Sequence, residues 1–431
     1  MTIGSTILDF NSLDAALNRD VGRVHETVQA AASAASQNDV ERARLVAAFN
    51  NAMGKLREED KGSGILSSSE NALASRLQSY FVERALAERP DAAVPVGGEV
   101  LEVKFDNLDI FGWLPTGLRV LFKVKPHAWI SPAPIAVSIG DQVRIALFSD
   151  WGSGLYGAPR IRESIEKDAR GFQIAMHLGD TYYSGTNREI QERLVDAFPR
   201  IGSTAVRRTL NGNHEMYSGG AGYFDKALPF VDQHSSCFAY QNSKWLLVGL
   251  DTAYVDHNLD ERDKYGANRT NQVGWLNKVI EDAGPKRKVI LFSHHQPFSQ
   301  LDNQGPKIVA AMGDDLLQRI HVWFWGHEHR CVIYETHKRF GFRGRCIGHG
   351  GFPAFRDQFS GSGDGTYRWV SLPENDDAPA AQVLDGPNKY IRGEENRYSP
   401  HGYVSLDIDG DECVESFFAA DAEQLRDPQR L

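Results

Sequence analysis

Along the first ninety residues the apolar positions recur in steps of three and four: Leu13, Leu17, Val21, Val24 and Val28, then Leu45, Phe49, Met53 and Leu56, then Leu73, Leu77 and Phe81. That spacing puts each set on one face of a helix, so three amphipathic helices are expected within 1–95. Ser67 with Glu70 three positions later has the form of a capping box for the third, and Gly62-Ser63-Gly64 ahead of it marks a break. Stripes of this kind are core faces far more often than cofactor or membrane contacts, and the segment reads as a small helical bundle. Over 96–140 the apolar runs shorten to VLEVKF and LRVLFKV around Pro115 and Gly117, the pattern of a small β element joining two modules.

From 141 onward one formula repeats. A compact apolar strand (VRIALF, FQIAMHL, RRTLN, KWLLVGL, KVILF, HVWFW) is followed by a polar loop dense in Asp, His and Gly, then by a helical stretch. This alternation predicts a layered α/β domain over 141–431, with its loops behind strand C-termini, where open α/β sheets place their ligands. Residues 360–401 are rich in Gly, Ser, Pro, Asn and Asp and are expected to form a long irregular loop. The tail GYVSLDIDGDECVESFF alternates around an Asp-Gly turn and reads as a terminal hairpin.

Bulk properties narrow the function. A chain of 431 residues exceeds what one core usually organises, which favours a large catalytic domain with a smaller one appended. No apolar run is long enough to cross a bilayer, and MTIGSTILDF lacks a basic stretch followed by an apolar one, so the expectation is a cytoplasmic protein without a membrane span. Cys237, Cys331, Cys346 and Cys413 are scattered without Cys-x-x-Cys spacing, which speaks for buried thiols against a disulfide framework or a thiolate zinc site. The net charge of −10 disfavours nucleic acid as a partner and leaves a small phosphorylated substrate as the better fit.

Five clusters behind predicted strands carry the chemistry: FSDWG with Asp150, HLGDTYY with Asp180 and Tyr183, NGNHE with Asn213 and His214, LFSHH with His294 and His295, and WGHEHR with His327 and His329. A phosphate ester is anionic and resists water, so its hydrolysis needs positive charge against the phosphoryl oxygens and a hydroxide near neutral pH; two cations about 3.5–4 Å apart supply both. Such a pair needs a bridging carboxylate, and Asp180, in the middle of the set, is the natural candidate. Mixed imidazoles and carboxylates suit zinc, iron or manganese better than magnesium or calcium. Glycines at 152, 179, 212 and 326 flank the candidates and fit backbone that turns sharply off a strand. Taken singly, each cluster has an ordinary explanation as a helix cap, a turn or a satisfied strand end. Five in order, each behind its own strand, do not.

These residues resemble the calcineurin-like metallophosphoesterase family, whose signature is Asp-x-His, Gly-Asp-x-x, Gly-Asn-His-Glu, a strand ending in His, and Gly-His-x-His. The match runs over roughly 143–350 and departs at Gly152, where most members have a histidine ligand. Purple acid phosphatases share that departure and carry a tyrosine three residues after the bridging aspartate, here Tyr183. The resemblance implies a four-layer α/β/β/α sandwich beside an N-terminal helical and small β module. It also implies one metal on Asp150, Asp180, Tyr183 and His329, and another on Asp180, Asn213, His294 and His327. Phenolate ligation would favour Fe(III) in the first position, with Zn, Mn or Fe(II) in the second. His214 is implied as a catalytic group facing the substrate, with Asn213 beside it, and His295 as a residue behind the ligands or facing the substrate. His349, in CIGHGGFP, stands where the family runs a glycine-rich loop under the metals. The implied activity is hydrolysis of phosphate esters by a metal-bound hydroxide, with a phosphomonoesterase favoured. The alternatives are a phosphodiesterase acting on nucleotide or lipid head groups, and an inactive scaffold whose helical module recruits a partner.

Overall fold

The computed structural model describes residues 6–60, 69–96, 100–103, 110–152, 154, 156–261, 269–302, 305–356 and 365–431. The chain divides into two compact units: unit 1 is Met1–His127, Tyr182–Glu189 and His214–Ala221, and unit 2 is Ala128–Thr181, Ile190–Asn213 and Gly222–Leu431.

Unit 1 contains strand β1 (Thr6–Leu8), helices α1 (Phe10–Asn18), α2 (Val21–Ala35), α3 (Asp39–Asp60) and α4 (Ala72–Glu88), strands β2 (Ala93–Val96) and β3 (Val100–Val103), and helix α5 (Ile110–Leu121). The stripe from Leu13 to Val28 is divided between two helices. The Asp20 side chain accepts from the Arg23 amide at 2.9 Å and starts α2 afresh, so a capping residue ends what periodicity read as one helix. Asn71 caps α4 by accepting from Leu73 and Ala74; the expected Gly62-Ser63-Gly64 break and Ser67 lie outside the described residues. VLEVKF behaves as expected, its β3 pairing parallel with β1 and antiparallel with β2. LRVLFKV does not: its first residues finish α5, whose buried face is Ile110, Leu114, Leu118 and Leu121. Steps of four, four and three made that stretch a helix, and Gly117, read as a breaker, is there for packing. A Cβ at Gly117 would lie 2.1 Å from the Tyr80 ring of α4.

Unit 2 holds a nine-stranded and a six-stranded sheet. The larger runs β14-β15-β12-β13-β11-β10-β9-β8-β4, with β4 Val137–Ser138, β8 Phe238–Gln241, β9 Trp245–Gly249, β10 Lys288–Ser293, β11 Ile320–Trp325, β12 Cys331–Thr336, β13 Arg343–Ile347, β14 Arg368–Leu372 and β15 Ala381–Asp385. The smaller runs β18-β17-β16-β5-β6-β7, with β5 Gln142–Phe148, β6 Ile174–His177, β7 Val206–Thr209, β16 Gly402–Asp409, β17 Glu412–Ala419 and β18 Gln429–Arg430. Helix α6 (Ala158–Lys167) follows β5, and α7 (Gln272–Ala283) precedes β10.

Period-2 alternation explains the layers. In β10 and β11, Ile290, Phe292, Val322 and Phe324 share a core with Ile145 and Leu147 of β5 and Leu406 of β16, which packs the sheets face to face. Their neighbours Val289, Leu291, Trp323 and Trp325 point the other way, into a second core with Trp275, Leu276, Val279 and Ile280 of α7. Each such buried side chain contributes roughly 1.5–3 kcal/mol relative to exposure. On the outer face of the six-stranded sheet Tyr403 and Phe418 stack at 5.1 Å, and Ser164 of α6 donates to the Ala420 carbonyl at 2.8 Å. The expected α/β/β/α sandwich is the fold of this unit. The terminal hairpin also forms, as β16 and β17 turning at Gly410 (φ +59°).

The long irregular loop expected over 360–401 is a correction. It contains β14 and β15, an antiparallel pair that extends the large sheet beyond β12. Their short runs, RWVSL and AQVLD, were hidden among turn residues, and Arg356 and Arg368 converge on the buried Asp385 at 2.7 and 2.9 Å to tie the pair down. Residues 360–364 of that stretch lie outside the described residues. Among the described residues no helix is long and apolar enough to cross a membrane.

Candidate metal centre

Strands β5, β6 and β7 run parallel as neighbours, as do β10 and β11 in the other sheet. Asp150, Asp180, Asn213, His294, His327 and His329 all follow the C-terminal ends of these strands. Topology thus delivers residues 179 positions apart in sequence to one neighbourhood, the arithmetic being 329 − 150.

The backbone turns off the strands sharply. Asp150 (φ +54°), Asp180 (+73°), His327 (+68°) and His329 (+51°) all sit in the left-handed region, which costs a non-glycine residue about 1–2 kcal/mol. Four such residues among the six candidates mean that the fold carries strain where it gathers carboxylates and imidazoles. The flanking glycines make the approach possible. A Cβ at Gly326 would lie 2.0 Å from Ser149 Oγ and 2.6 Å from Asp150 Oδ2.

The side chains form two overlapping groups. Ligand atoms of Asp150, Asp180 and His329 lie within 4.8 Å of one another, as do those of Asp180, His294 and His327, so Asp180 belongs to both. Asn213 Oδ1 is 3.0 Å from His294 Nε2 and 3.1 Å from His327 Nδ1. His294 Nε2 is 3.3 Å from Asp180 Oδ1, and His329 Nε2 is 3.4 Å from Asp150 Oδ1. Supporting contacts fix these orientations. His294 Nδ1 donates to the Leu178 carbonyl at 2.9 Å, which leaves the Nε2 lone pair directed at Asp180 and Asn213. Asp150 Oδ2 accepts from the Ser149 hydroxyl at 2.7 Å and the His327 amide at 2.9 Å. Gly350 and Phe352 donate backbone N–H groups to the Ser149 and Asp150 carbonyls at 3.0 and 2.8 Å, which places the glycine-rich loop under Asp150. His349, in that loop, turns toward β16: its Nε2 would lie 2.7 Å from a Cβ at Gly402.

Burial holds the His327 imidazole well below its ordinary pKa, and the adjacent His294 adds to the effect. Burial does the same to His295, reinforced by His327 and His294. These rings are neutral at physiological pH and present lone pairs, the form that binds a metal. Carboxylates and imidazoles gathered around a shared aspartate fit a pair of divalent or trivalent transition-metal ions: Asp150, Asp180 and His329 would hold one, and Asp180, Asn213, His294 and His327 the other.

His295 stands behind this set, its amide and Nδ1 both on Thr252 Oγ1 at 3.0 and 2.9 Å. Two histidines escaped the sequence reading. His257, in the loop after β9, has its ring centroid 3.9 Å from that of His295, tilted by 54°, and forms a third group of ligand atoms with His295 and His327. Its own φ of +57° and the +31° of Asp256 resemble the strain at the ligands, but no motif surrounds it. His177 ends β6 and contacts Thr209 Oγ1 at 3.2 Å; burial pushes it down to about 4, with Asp150 and Asp180 pulling the other way.

Tyr183 and His214 belong to unit 1. There the structure brings them to each other: His214 Nδ1 donates to the Tyr183 carbonyl, and the Tyr183 hydroxyl accepts from the Leu8 amide at 3.1 Å. The His214 ring lies between Tyr182 and Tyr217, at 4.4 and 4.7 Å.

Residues 143–331 match the family model for calcineurin-like phosphoesterase. No curated protein matches the chain. Among solved structures, a purple acid phosphatase from yellow lupin (Lupinus luteus) seeds is 15% identical with a TM-score of 0.47, over 67% of this chain and 53% of that one. The present chain therefore spans about half of the lupin protein. GAP50, the anchor in the inner membrane complex of Plasmodium, is 12% identical with a TM-score of 0.46, over 67% of this chain and 88% of that one. PhoD is 12% identical with a TM-score of 0.38, over 71% and 69%. All three scores fall below 0.5 and bear on no activity here.

Proposed function

Residues 143–331 form a calcineurin-like phosphoesterase domain, and from that premise we propose that the chain hydrolyses small phosphate monoesters at a centre of two cations. The observation that carries the reading is the membership of the buried Asp180 in two ligand groups at once, the arrangement a carboxylate bridge requires. Two bound cations would supply positive charge to the phosphoryl oxygens and lower the pKa of water to near neutrality. The protein's own part is to hold the ligands before substrate arrives. Ser149 and the His327 amide fix Asp150, the Leu178 carbonyl fixes the tautomer of His294, and the left-handed turns point all four strained residues away from their strands.

Two roles enter on sequence position alone. Tyr183, three residues after Asp180, would add a phenolate and favour Fe(III) in the position shared with Asp150 and His329, with Zn, Mn or Fe(II) in the other. His214, directly after Asn213, would stabilise the transferring phosphoryl group or protonate the leaving oxygen. Its Nδ1–H bond to the Tyr183 carbonyl holds the ring in one orientation.

Asp180→Asn tests the reading. Removing the shared carboxylate should lower bound metal from two ions per chain to one or none and cut kcat/KM on an aryl phosphate monoester by at least about 10³-fold, the scale of losing a main charge-stabilising group. Wild-type protein that holds two metals yet cleaves neither an aryl monoester nor an aryl diester would refute hydrolysis, and faster turnover of the diester would refute the monoester preference alone.

A further inference from the structure

The contacts that fix the segments carrying Tyr183 and His214 come from far away in the sequence. Leu8 of β1 donates its amide to the Tyr183 hydroxyl at 3.1 Å. Ser79 of α4 lies 2.8 Å from Ser184 Oγ and donates to Glu189 Oε1 at 2.9 Å. The Thr186 hydroxyl donates to Glu83 of α4 at 2.6 Å, and the Tyr217 hydroxyl to the Glu70 carbonyl at 2.7 Å. His127 donates its amide to the Gly219 carbonyl at 2.7 Å, and Gly219, at φ +89°, sits so near the chain that a Cβ would be 2.4 Å from the Lys125 carbonyl oxygen.

Glu189 is the hub. Its carboxylate, buried with Ser79 and Ser184, accepts from the Tyr183 amide at 2.6 Å and from the Ser184 and Thr186 amides at 3.1 Å each. A buried carboxylate persists only when donors surround it, and charge-assisted bonds of this kind are the strong ones. The same carboxylate sets the backbone of Tyr183, and the Tyr183 carbonyl in turn orients the His214 ring. Ser79 is the donor in that chain of contacts that the N-terminal helices contribute.

We propose that the N-terminal region is an internal positioning element, in which Ser79 of α4, acting through Glu189, and the Leu8 amide set the Tyr183–His214 pair. Its consequence for catalysis rests on the proposed function; the clamp on residues 182–189 does not. Ser79 and Leu8 touch neither substrate nor metal in this scheme, and they act through the residues they hold.

The test uses full-length Ser79→Ala, Ser79→Thr and Glu189→Gln. Hydrogen exchange of the Tyr183, Ser184 and Thr186 amides should quicken about tenfold in Ser79→Ala and more in Glu189→Gln, a tenfold change corresponding to one lost bond to a charged group. Exchange in β5 and β10 should be unchanged, and Ser79→Thr, which keeps the hydroxyl, should restore wild-type protection. In the iron-loaded protein the visible phenolate band, assigned by its absence in Tyr183→Phe, should shift in Ser79→Ala at constant metal content, with kcat falling while KM holds. Unaltered exchange over 182–189 in both Ser79→Ala and Glu189→Gln would overturn the clamp. Faster exchange with an unmoved band and unmoved kcat would overturn the positioning role. A colourless iron-loaded wild type would instead remove the tyrosinate assignment, leaving exchange and kcat to decide the proposal.

Discussion

Position 152 is where this chain departs from the histidine expected from its resemblance to calcineurin-like phosphoesterases, and the structure turns that departure into a measurement. A Cβ built on Gly152 lies 2.2 Å from Thr181 Cα, 2.4 Å from the Asp180 carbonyl oxygen and 3.0 Å from the Asp180 carbonyl carbon. Carbon atoms at rest sit about 3.5–4.0 Å apart, so even alanine must displace the main chain at Asp180 by over about 1 Å. Overpacking relieved by side-chain movement typically costs about 1–3 kcal/mol. Here the obstacle is backbone at the shared ligand, so Gly152→Ala should cost about 3 kcal/mol or more, and Gly152→His should restore no ligand. Metal sites tolerate ligand displacements of only about 0.2 Å, so both variants should also lose bound metal. The assay is urea unfolding followed by tryptophan fluorescence, with metal per chain measured in parallel. Gly54→Ala is the control: nothing lies within 4 Å of its added methyl, and alanine in that helix interior should gain up to about 1 kcal/mol. A Gly152→His protein with two metals and an unshifted midpoint would refute the steric reasoning.

Burial pushes His401 down to about 3, well under the 6.5 or so of an unfolded chain, so its contribution to stability is fully present above pH 6.5 and is lost as pH falls toward 3. At pH 5 the native ring is still neutral while the unfolded one is protonated, a cost of about 2 kcal/mol that His401→Gln should abolish, read as a shallower fall of the urea midpoint between pH 7.5 and 5. The Arg345–Glu415 pair is almost wholly buried, with Nε 2.8 Å and Nη2 2.8 Å from the carboxylate. Glu415→Ala leaves an uncompensated guanidinium and should destabilise by about 3–5 kcal/mol in the same assay, whereas a loss under 1 kcal/mol would mean that water replaces the partner.

What could be read in advance follows from which forces are local. The strands of unit 2 announced themselves because most of them are covered on both faces: in β10, Val289 and Leu291 meet helix while Ile290 and Phe292 meet the other sheet, so the run is continuously apolar. Helix α5 was misread because Pro115 and Gly117 look like punctuation, whereas the signal lay in the ladder from Ile110 to Leu121 and the glycine answers to Tyr80, a residue 37 positions away, as 117 − 80 gives. Strands β14 and β15 were missed for a related reason: their stability comes from pairing with β12 and from two arginines on Asp385, neither visible in a segment dominated by turn formers.

The candidate site divides along the same line. Asp150, Asp180, Asn213, His294, His327 and His329 were legible because they stand in five clusters, each behind its own strand and most with a glycine nearby, and parallel pairing converts that local rule into a common neighbourhood. His257 has no such local mark; it joins His295 and His327 only through the path of the loop after β9. Nor could the sequence reveal that the residues just after Asp180 and Asn213 belong to a different compact unit from those ligands. Bonds such as Ser79 to Glu189, 110 positions apart, join those residues to the N-terminal helices, and their partners are a serine and a glutamate, residue types that recur everywhere. A site of this kind therefore has two tiers of information. The candidate metal ligands are residue types that few others can replace, and motif reading singles them out. The contacts around Tyr183 carry no such mark, and only the folded chain distinguishes Ser79, bonded to Glu189, from any other serine.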